Sequence, residues 1–495
     1  MKEFIILGNG FDLSCNLSSS YKDFFKRRLD SLFNTTDTDE IINLLNNVSA
    51  ESSYKREKNN NQSAAMKEFK EQQRENESTV SKFTSRKYVI KKPKTIEPGE
   101  EDRQFEFLEV QAKYPDITRW DLFFIYAKKY LKDETNEWQD VENIIDNVIT
   151  IALHDKIRKN VLSMPSSQYV TNLHFKPDGE EKFKLAIYKY SCVNFDETDV
   201  NERAYSLLIS LNQFEEVFSK YICLQMDIEH SKNLNSPYFQ CAKELLKNIT
   251  EMKLGDRPEI NVWSFNYTLG PRFQDKLKDD GWDLHTWNNI HGMACHNDPD
   301  AKSAIKHTGE IPAPIFGVNP NDILSLPNYK IPERVIFIKP YRLINNKFRN
   351  ARQEFSFENI DKIIIYGHSL GEADYSYFEY IFDAIDIYSK DVELVFYYWP
   401  GELSIDEIKQ RIPKDVFDKV KQQISGNSPE EIKRKIIEFF TDKIEQKNME
   451  RKYTEKVVKM LNRYGANSDF AKDDIVTKLA VQGRLSILPN SKISI

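Results

Sequence analysis

Cysteine is scarce in this chain. Five residues (Cys15, Cys192, Cys223, Cys241 and Cys295) are scattered over 495, and no C-x-x-C pair occurs. That excludes a zinc ribbon and a disulfide framework and fits a reduced, cytoplasmic protein. Long apolar runs are missing too. None approaches the roughly 18–20 residues that span a bilayer, so no membrane partner is expected. The N-terminus is a short apolar run, not a charged segment leading to an apolar core and a small-residue cleavage site, which predicts no signal peptide. Nor is there an excess of positive charge: 70 Lys and Arg stand against 77 Asp and Glu, a formal net charge of −7. Nucleic acid is therefore not indicated as a partner.

At this length, two or three units are the default. The run Phe4-Ile5-Ile6-Leu7 reads as a strand that stops at Gly8-Asn9-Gly10. A loop follows, then a helix with Ser20 as N-cap and Asp23 in its first turn. Residues 51–104 hold an Asn/Gln run, dense Lys and Glu, and few aliphatics, which reads as a flexible, charged insertion. From about 105 to 255 the apolar spacing is helical, as in Trp120, Phe123, Phe124, Ala127 and Leu131, and again from Trp138 through Ile149. Strands are expected at 260–265, 334–338, 362–366 and 392–398. Their continuous β-branched runs suit a largely parallel sheet covered on both faces. The C-terminal part is helical again, with start signals at Ser404/Glu407 and at Ser428, Pro429 and Glu431. The fold class is thus α/β: a mostly parallel sheet from both chain halves, a long helical insertion, and a helical C-terminal region.

Several strand ends carry glycine or hydrogen-bonding residues: Gly8-Asn9-Gly10-Phe11-Asp12, Asn266-Tyr267-Thr268, Ile290-His291-Gly292, and Gly367-His368-Ser369 with Asp374 shortly after. In an open parallel sheet, ligands bind outside the carboxyl ends of the strands. Glycine there lets the backbone approach a phosphate or ribose. Four such tips predict one shared ligand site, with a nucleotide as its ligand.

The stretches I-I-L-G-N-G-F-D-L (5–13), S-Y-K-D-F (20–24), W-D-L-F-F (120–124), W-Q-D-V-E (138–142), S-F-N-Y-T (264–268), I-H-G (290–292), I-F-G-V-N (315–319) and G-H-S-L-G-E-A-D (367–374) resemble the AbiH family of bacterial phage-abortive-infection proteins, in the family's order. More remotely, the order of G-x-G, a strand ending in Asn, His-Gly and G-x-S-L is similar to sirtuin-like NAD-binding domains. The resemblance implies a sirtuin-like Rossmann core from residues 1–30 plus 256–400, an insertion at 31–255, and a C-terminal region at 401–495. It also implies an antiphage effector that hydrolyses NAD as an NAD+ glycohydrolase, with NAD as substrate. On this likeness Asn266 holds the attacking water or a ribose hydroxyl, and His291 is general base or ribose contact. Gly8, Asn9, Gly10 and Asp12 cradle the dinucleotide. Gly367, His368, Ser369 and Asp374 bind phosphate or ribose. The sirtuin zinc module has no counterpart, which argues against protein deacylation. The acidic residue that sirtuins place two positions after their Asn is also missing, and Asp12 is the candidate substitute. A silent NADase needs restraint, so a phage-derived activator and a homo-oligomeric switch are the expected partners.

Other readings stand beside this one. The core can serve as a non-catalytic sensor of a nucleotide or phage component. A nuclease would need a metal; no paired-carboxylate motif points to one, although Asp12, Asp140, Glu142 and Asp374 can in principle converge on a metal. His285, His291, His296 and Cys295 match no zinc template, and no metal is expected. Asp140 and Glu142 are two apart and cannot share one helix face. Tyr341 and Arg342 are either a phosphate contact or ordinary surface. Glu372 or Asp374 can serve a helix dipole instead of a ligand.

Overall fold

The fold was analysed in a computed structural model that describes residues 1–58, 101–131, 138–153, 179–191, 200–226, 236–250, 258–296, 311–318, 332–344, 354–401, 408–409, 411–424, 428–441, 445–467 and 474–490. The Ser404/Glu407 start signal and residues 59–100 of the charged insertion lie outside these. Residues 51–58 and 101–104 belong to the helices Thr38–Lys58 and Glu101–Lys113.

Six parallel strands form one sheet: β1 (Lys2–Leu7), β2 (Glu259–Ser264), β3 (Leu284–Asn289), β4 (Lys362–Tyr366), β5 (Glu393–Tyr398) and β6 (Leu485–Pro489), in the order β3-β2-β1-β4-β5-β6. This is the strand order of the doubly wound α/β sheet, whose direction reverses between β1 and β4. Side chains alternate across it. Ile5, Leu7, Ile364, Tyr366, Val395 and Tyr397 pack with the helical insertion. Phe4, Ile6, Ile363, Ile365, Leu394 and Phe396 pack under the helices Tyr375–Ile385, Gln446–Asn467 and Ile475–Val481. Both faces are covered, so the central strands read as unbroken apolar runs.

The insertion helices Arg119–Tyr130, Trp138–Leu153 and Val200–Gln225 start and stop by local rules. Thr118 and Asp121 form a reciprocal capping box. Ser20 caps Tyr21–Phe33, accepting from the Asp23 amide at 3.1 Å. Ser428 caps Pro429–Phe440 in the same way, through Glu431 at 3.1 Å.

Three local expectations change. Residues 334–338 are not a strand; Pro332–Phe337 is a 3-10 helix, and Ile338 after it forms one isolated parallel bridge with Val318. Pro332 presets a helical turn, and Arg334 is buried against Asp146. The β1 tip is not a plain loop, because the helix Asn9–Ser14 begins at once with Gly8 as N-cap. The C-terminal region, besides its helices, supplies the edge strand β6.

Candidate functional site

The register sets four strand tips level with one another. Leu7 pairs with Ser264 on one side and Tyr366 on the other, and Ser264 pairs with Asn289. The ladder runs one residue further at each tip: Phe265 N donates to Leu7 O at 2.8 Å, Gly8 N to Tyr366 O at 2.9 Å, and Ile290 N to Ser264 O at 2.8 Å. Beyond that level the polar tips lie side by side at the carboxyl edge.

The glycines there face each other. A Cβ on Gly8 would meet His368 Cα at 2.4 Å, and one on Gly10 would meet Gly367 Cα at 2.6 Å. Gly367 itself has φ +65°, and a Cβ there would meet Phe11 N at 2.5 Å. The amides are engaged as well, with Gly10 N donating to Gly367 O at 2.8 Å and Phe11 N to Gly8 O at 2.9 Å. Close packing of the β1 and β4 tips therefore accounts for all three glycines without a ligand. Asn9 turns toward Ser19, whose hydroxyl donates to Asn9 Oδ1 at 2.6 Å. Leu269 and Leu370 both have φ +55°, a strained conformation for leucine, and such strain gathers at functional edges.

Two polar clusters flank these glycines. The first surrounds Asp12, which is 1% exposed. Its Oδ1 accepts from Tyr238 Oη at 2.7 Å, and both of its oxygens accept from Thr268 Oγ1 at 3.0 Å. Burial pushes the carboxyl up to about 7, against the pull of Tyr238, Thr268 and Asn266. Asn266 donates from Nδ2 to Gly8 O at 2.9 Å, tying the β2 tip to the glycine turn.

The second cluster lies beyond β3 and β4. Lys339 Nζ is buried and bonds Asp374 Oδ1 at 3.0 Å and Glu142 Oε1. His368 Nε2 is 3.5 Å from Asp374 Oδ2, and His291 Nε2 is 4.0 Å from Asp374 Oδ1 and 3.3 Å from Tyr377 Oη. The Phe265 ring stands edge-on to both imidazoles, with centroids 5.2 Å from His291 and 4.7 Å from His368. The amide of Leu370 donates to His368 Nδ1 at 3.0 Å, so the neutral ring carries its proton on Nε2, toward Asp374.

The charges sort themselves. Burial lowers the His368 imidazole to about 4, outweighing Asp374, so the ring is neutral at pH 7. Burial pushes Asp374 up, but Lys339 and the two histidines outweigh it and hold that carboxyl below the usual range. Glu142 rises to about 7, because burial and Asp374 exceed the help from Lys339. Lys339 thus faces two carboxyls at once, and the pressure of burial toward the neutral form falls on Glu142 while Asp374 is held toward the anion.

Of the residues singled out from sequence, His291, His368 and Asp374 meet in this second cluster. Asp12 and Asn266 belong to the first. Ser369 joins neither by a side-chain hydrogen bond among the described contacts; its carbonyl accepts from Lys456 Nζ at 3.4 Å. Asp374 stands at the N-cap of Tyr375–Ile385, where its charge suits the helix dipole; it makes no side-chain cap bond there and bonds Lys339 instead. Arg342 is no phosphate contact here, being spent on Glu215, Asn212 and Phe316 O. Glu142 reaches the centre, while the side chain of Asp140 lies outside the described residues. Lys339, Tyr238, Tyr377 and the intervening Phe265 were not foreseen. The one local signal for Lys339 was a lysine closing the apolar run Val335–Ile338. Among the described residues no group of three or more His, Cys, Asp or Glu is arranged to hold a metal ion, and no helix is long and apolar enough to cross a membrane.

No curated protein and no solved structure matches the chain. The family model for bacteriophage abortive infection AbiH matches residues 4–398, which takes in most of β1, all of β2 through β5, the helical insertion and every residue of both clusters, and the chain belongs to that AbiH family.

Proposed function

We propose that the chain is an antiphage effector that hydrolyses the nicotinamide–ribose bond of NAD at the carboxyl edge of its sheet. One observation carries this reading. Five groups that can hold or move protons (His291, His368, Asp374, Lys339 and Glu142) are gathered in a buried cluster beyond the tips of β3 and β4. It adjoins the point where the strand order reverses, which is where open α/β sheets take ligands. Buried groups whose titration is displaced, as in His368, Asp374, Lys339 and Glu142, cluster at sites of proton-transfer chemistry as well as in structural ion-pair networks.

The reaction consumes one water and yields nicotinamide, ADP-ribose and a proton. Its barrier lies in forming an oxocarbenium-like ribose, which an anion steadies and a positioned water traps. His291 takes the proton of that water. Asp374, kept ionised by Lys339, supplies the negative charge, and neutral His368 holds it in place. Glu142 exchanges the proton with solvent near neutrality. Asn266 acts as a positioning residue through Gly8. The remote sirtuin likeness adds a role for Asp12. Thr268, two positions after Asn266, bonds the Asp12 carboxyl, which puts an acid beside the position where sirtuins carry theirs.

A second reading is a nucleotide sensor without turnover. It is favoured by the mutual pairing of Lys339, Asp374 and Glu142, which suits a structural ion-pair network as well as a catalytic one. Chromatography of purified protein incubated with NAD, alongside calorimetric titration of NAD and ADP-ribose, separates the two. Release of nicotinamide and ADP-ribose in equal amounts supports the enzyme. Saturable binding with intact NAD supports the sensor. Neither binding nor turnover in the presence of phage-infected lysate removes both.

A further inference from the structure

Away from this centre, two thiols from distant parts of the chain lie side by side. Cys223 is in the last turn of the helix Val200–Gln225, and Cys295 lies four residues beyond His291 in the turn after β3. Their sulfurs are 3.0 Å apart, and both residues are half-buried. The backbones that carry them are fixed to one another. One helical turn earlier, Ser219 Oγ donates to the Ala294 carbonyl. The Ala294 amide donates to Tyr267 O at 2.9 Å. His296 Nε2 reaches Glu216 at 3.3 Å. The fold itself imposes the encounter.

The other two described cysteines behave differently. Cys15 and Cys241 are buried. Burial, and then Cys241, pushes the Cys15 thiol far above its usual range. Burial also raises Cys241. Thiolate character and access govern oxidation, so this pair is the inert one.

We propose that Cys223 and Cys295 are a modification site, forming a reversible disulfide when the protein meets a peroxide. Cys295, carried by the turn, is the thiol oxidised first, and Cys223, carried by the helix, resolves it. The Cys295 sulfur displaces hydroxide from hydrogen peroxide, giving a sulfenic acid and one water. The Cys223 sulfur then attacks that sulfur, the S–O bond breaks, and a second water leaves. In sum, one peroxide is reduced, two thiols are oxidised, and two waters form. The bond clamps the insertion helix to the turn four residues past His291. This inference does not depend on the NAD reading.

The test uses the reduced full-length protein, treated with hydrogen peroxide, quenched with N-ethylmaleimide and digested for mass spectrometry. The expected result is a Cys223–Cys295 cross-linked peptide, reversed by dithiothreitol, formed at least tenfold faster than Cys15 or Cys241 loses alkylation. Oxidised wild type should melt at a higher temperature than reduced. C223S and C295S should show no such rise, and C223S should leave a dimedone-reactive sulfenic acid on Cys295. Three results would each overturn the proposal: both thiols fully alkylated after peroxide, a cross-link from either to Cys192, or sulfinic acid on Cys295 of the wild type without a disulfide.

Discussion

Lys339 Nζ and Asp374 Oδ1 are 3.0 Å apart, 35 residues apart in sequence, and both shielded from solvent at the carboxyl edge of the sheet. Their pairing keeps a carboxylate ionised where burial alone would neutralise it. Lys339→Met leaves Asp374 without its cation and should cost about 3–5 kcal/mol of unfolding free energy. The double variant K339M/D374N should recover more than half of that loss, because both buried charges are then gone and burial leaves Glu142, which also loses Lys339, protonated. Denaturant unfolding of the four proteins reads the coupling; additive losses would mean that the two groups act independently.

Asp12 makes a prediction with a sign. Its carboxyl titrates near 7 in the folded chain, against 3.8 as the ordinary value. Between those two values the folded state holds a proton that the unfolded state releases. The associated stability is fully present below pH 4 and fades as pH rises toward 7. At ~1.4 kcal/mol per pH unit this amounts to about 4 kcal/mol for a fully buried group. Glu142 contributes in the same direction, and His368, lowered to about 4, in the opposite one. Comparing Asp12→Asn with wild type cancels both. The variant should match wild type at pH 4.5 and exceed it in melting temperature at pH 8. Parallel pH profiles would contradict the assignment.

Much of this edge was legible in the sequence, and the reasons are local. β1, β2, β4 and β5 are buried on both faces and show as apolar runs. β3 was missed because Leu-His-Thr-Trp-Asn-Asn mixes an exposed His285 with a buried Asn288, with no apolar run to notice. β6 was missed because an edge strand with half-exposed residues resembles any chain end. The 3-10 helix at Pro332–Phe337 carries strand-like residues without a strand partner. The tips themselves were visible by residue type. What joins them was not: the Glu142–Lys339 contact runs from the middle of the helical insertion to a segment well beyond its end, and nothing near either residue announces the other.

The glycine turns offer a separate check on why those residues are there. Gly10→Ala places a methyl 2.6 Å from Gly367 Cα, against backbone atoms of Gly367 and no side chain able to yield. A loss of roughly 1–3 kcal/mol is expected from such overpacking. The comparison is Gly371→Ala, whose nearest neighbour is Ser369 Oγ at 3.7 Å; that change should be close to neutral. Equal effects at the two sites would mean that the β1–β4 contact is not what requires glycine.

The helix Gln446–Asn467 lies beyond the family match yet braces the same tip. Tyr453 Oη donates to His368 O at 3.0 Å, and Lys459 reaches Glu372 at 2.5 Å. Tyr453→Phe removes one partly buried hydrogen bond and should cost about 1 kcal/mol. If the brace also sets the His368–Asp374 geometry, NAD turnover should fall at constant KM. Unchanged kcat with lowered stability would confine this helix to support.

The account stands on proton-transfer chemistry at the buried cluster of His291 and Asp374. Cellular NAD during phage infection, measured in bacteria expressing wild type, His291→Ala or Asp374→Asn at equal folded levels, tests it most directly. NAD should collapse and nicotinamide should appear only with wild type, at the time that protection sets in. Protection by wild type with NAD held at the level of uninfected cells would contradict it.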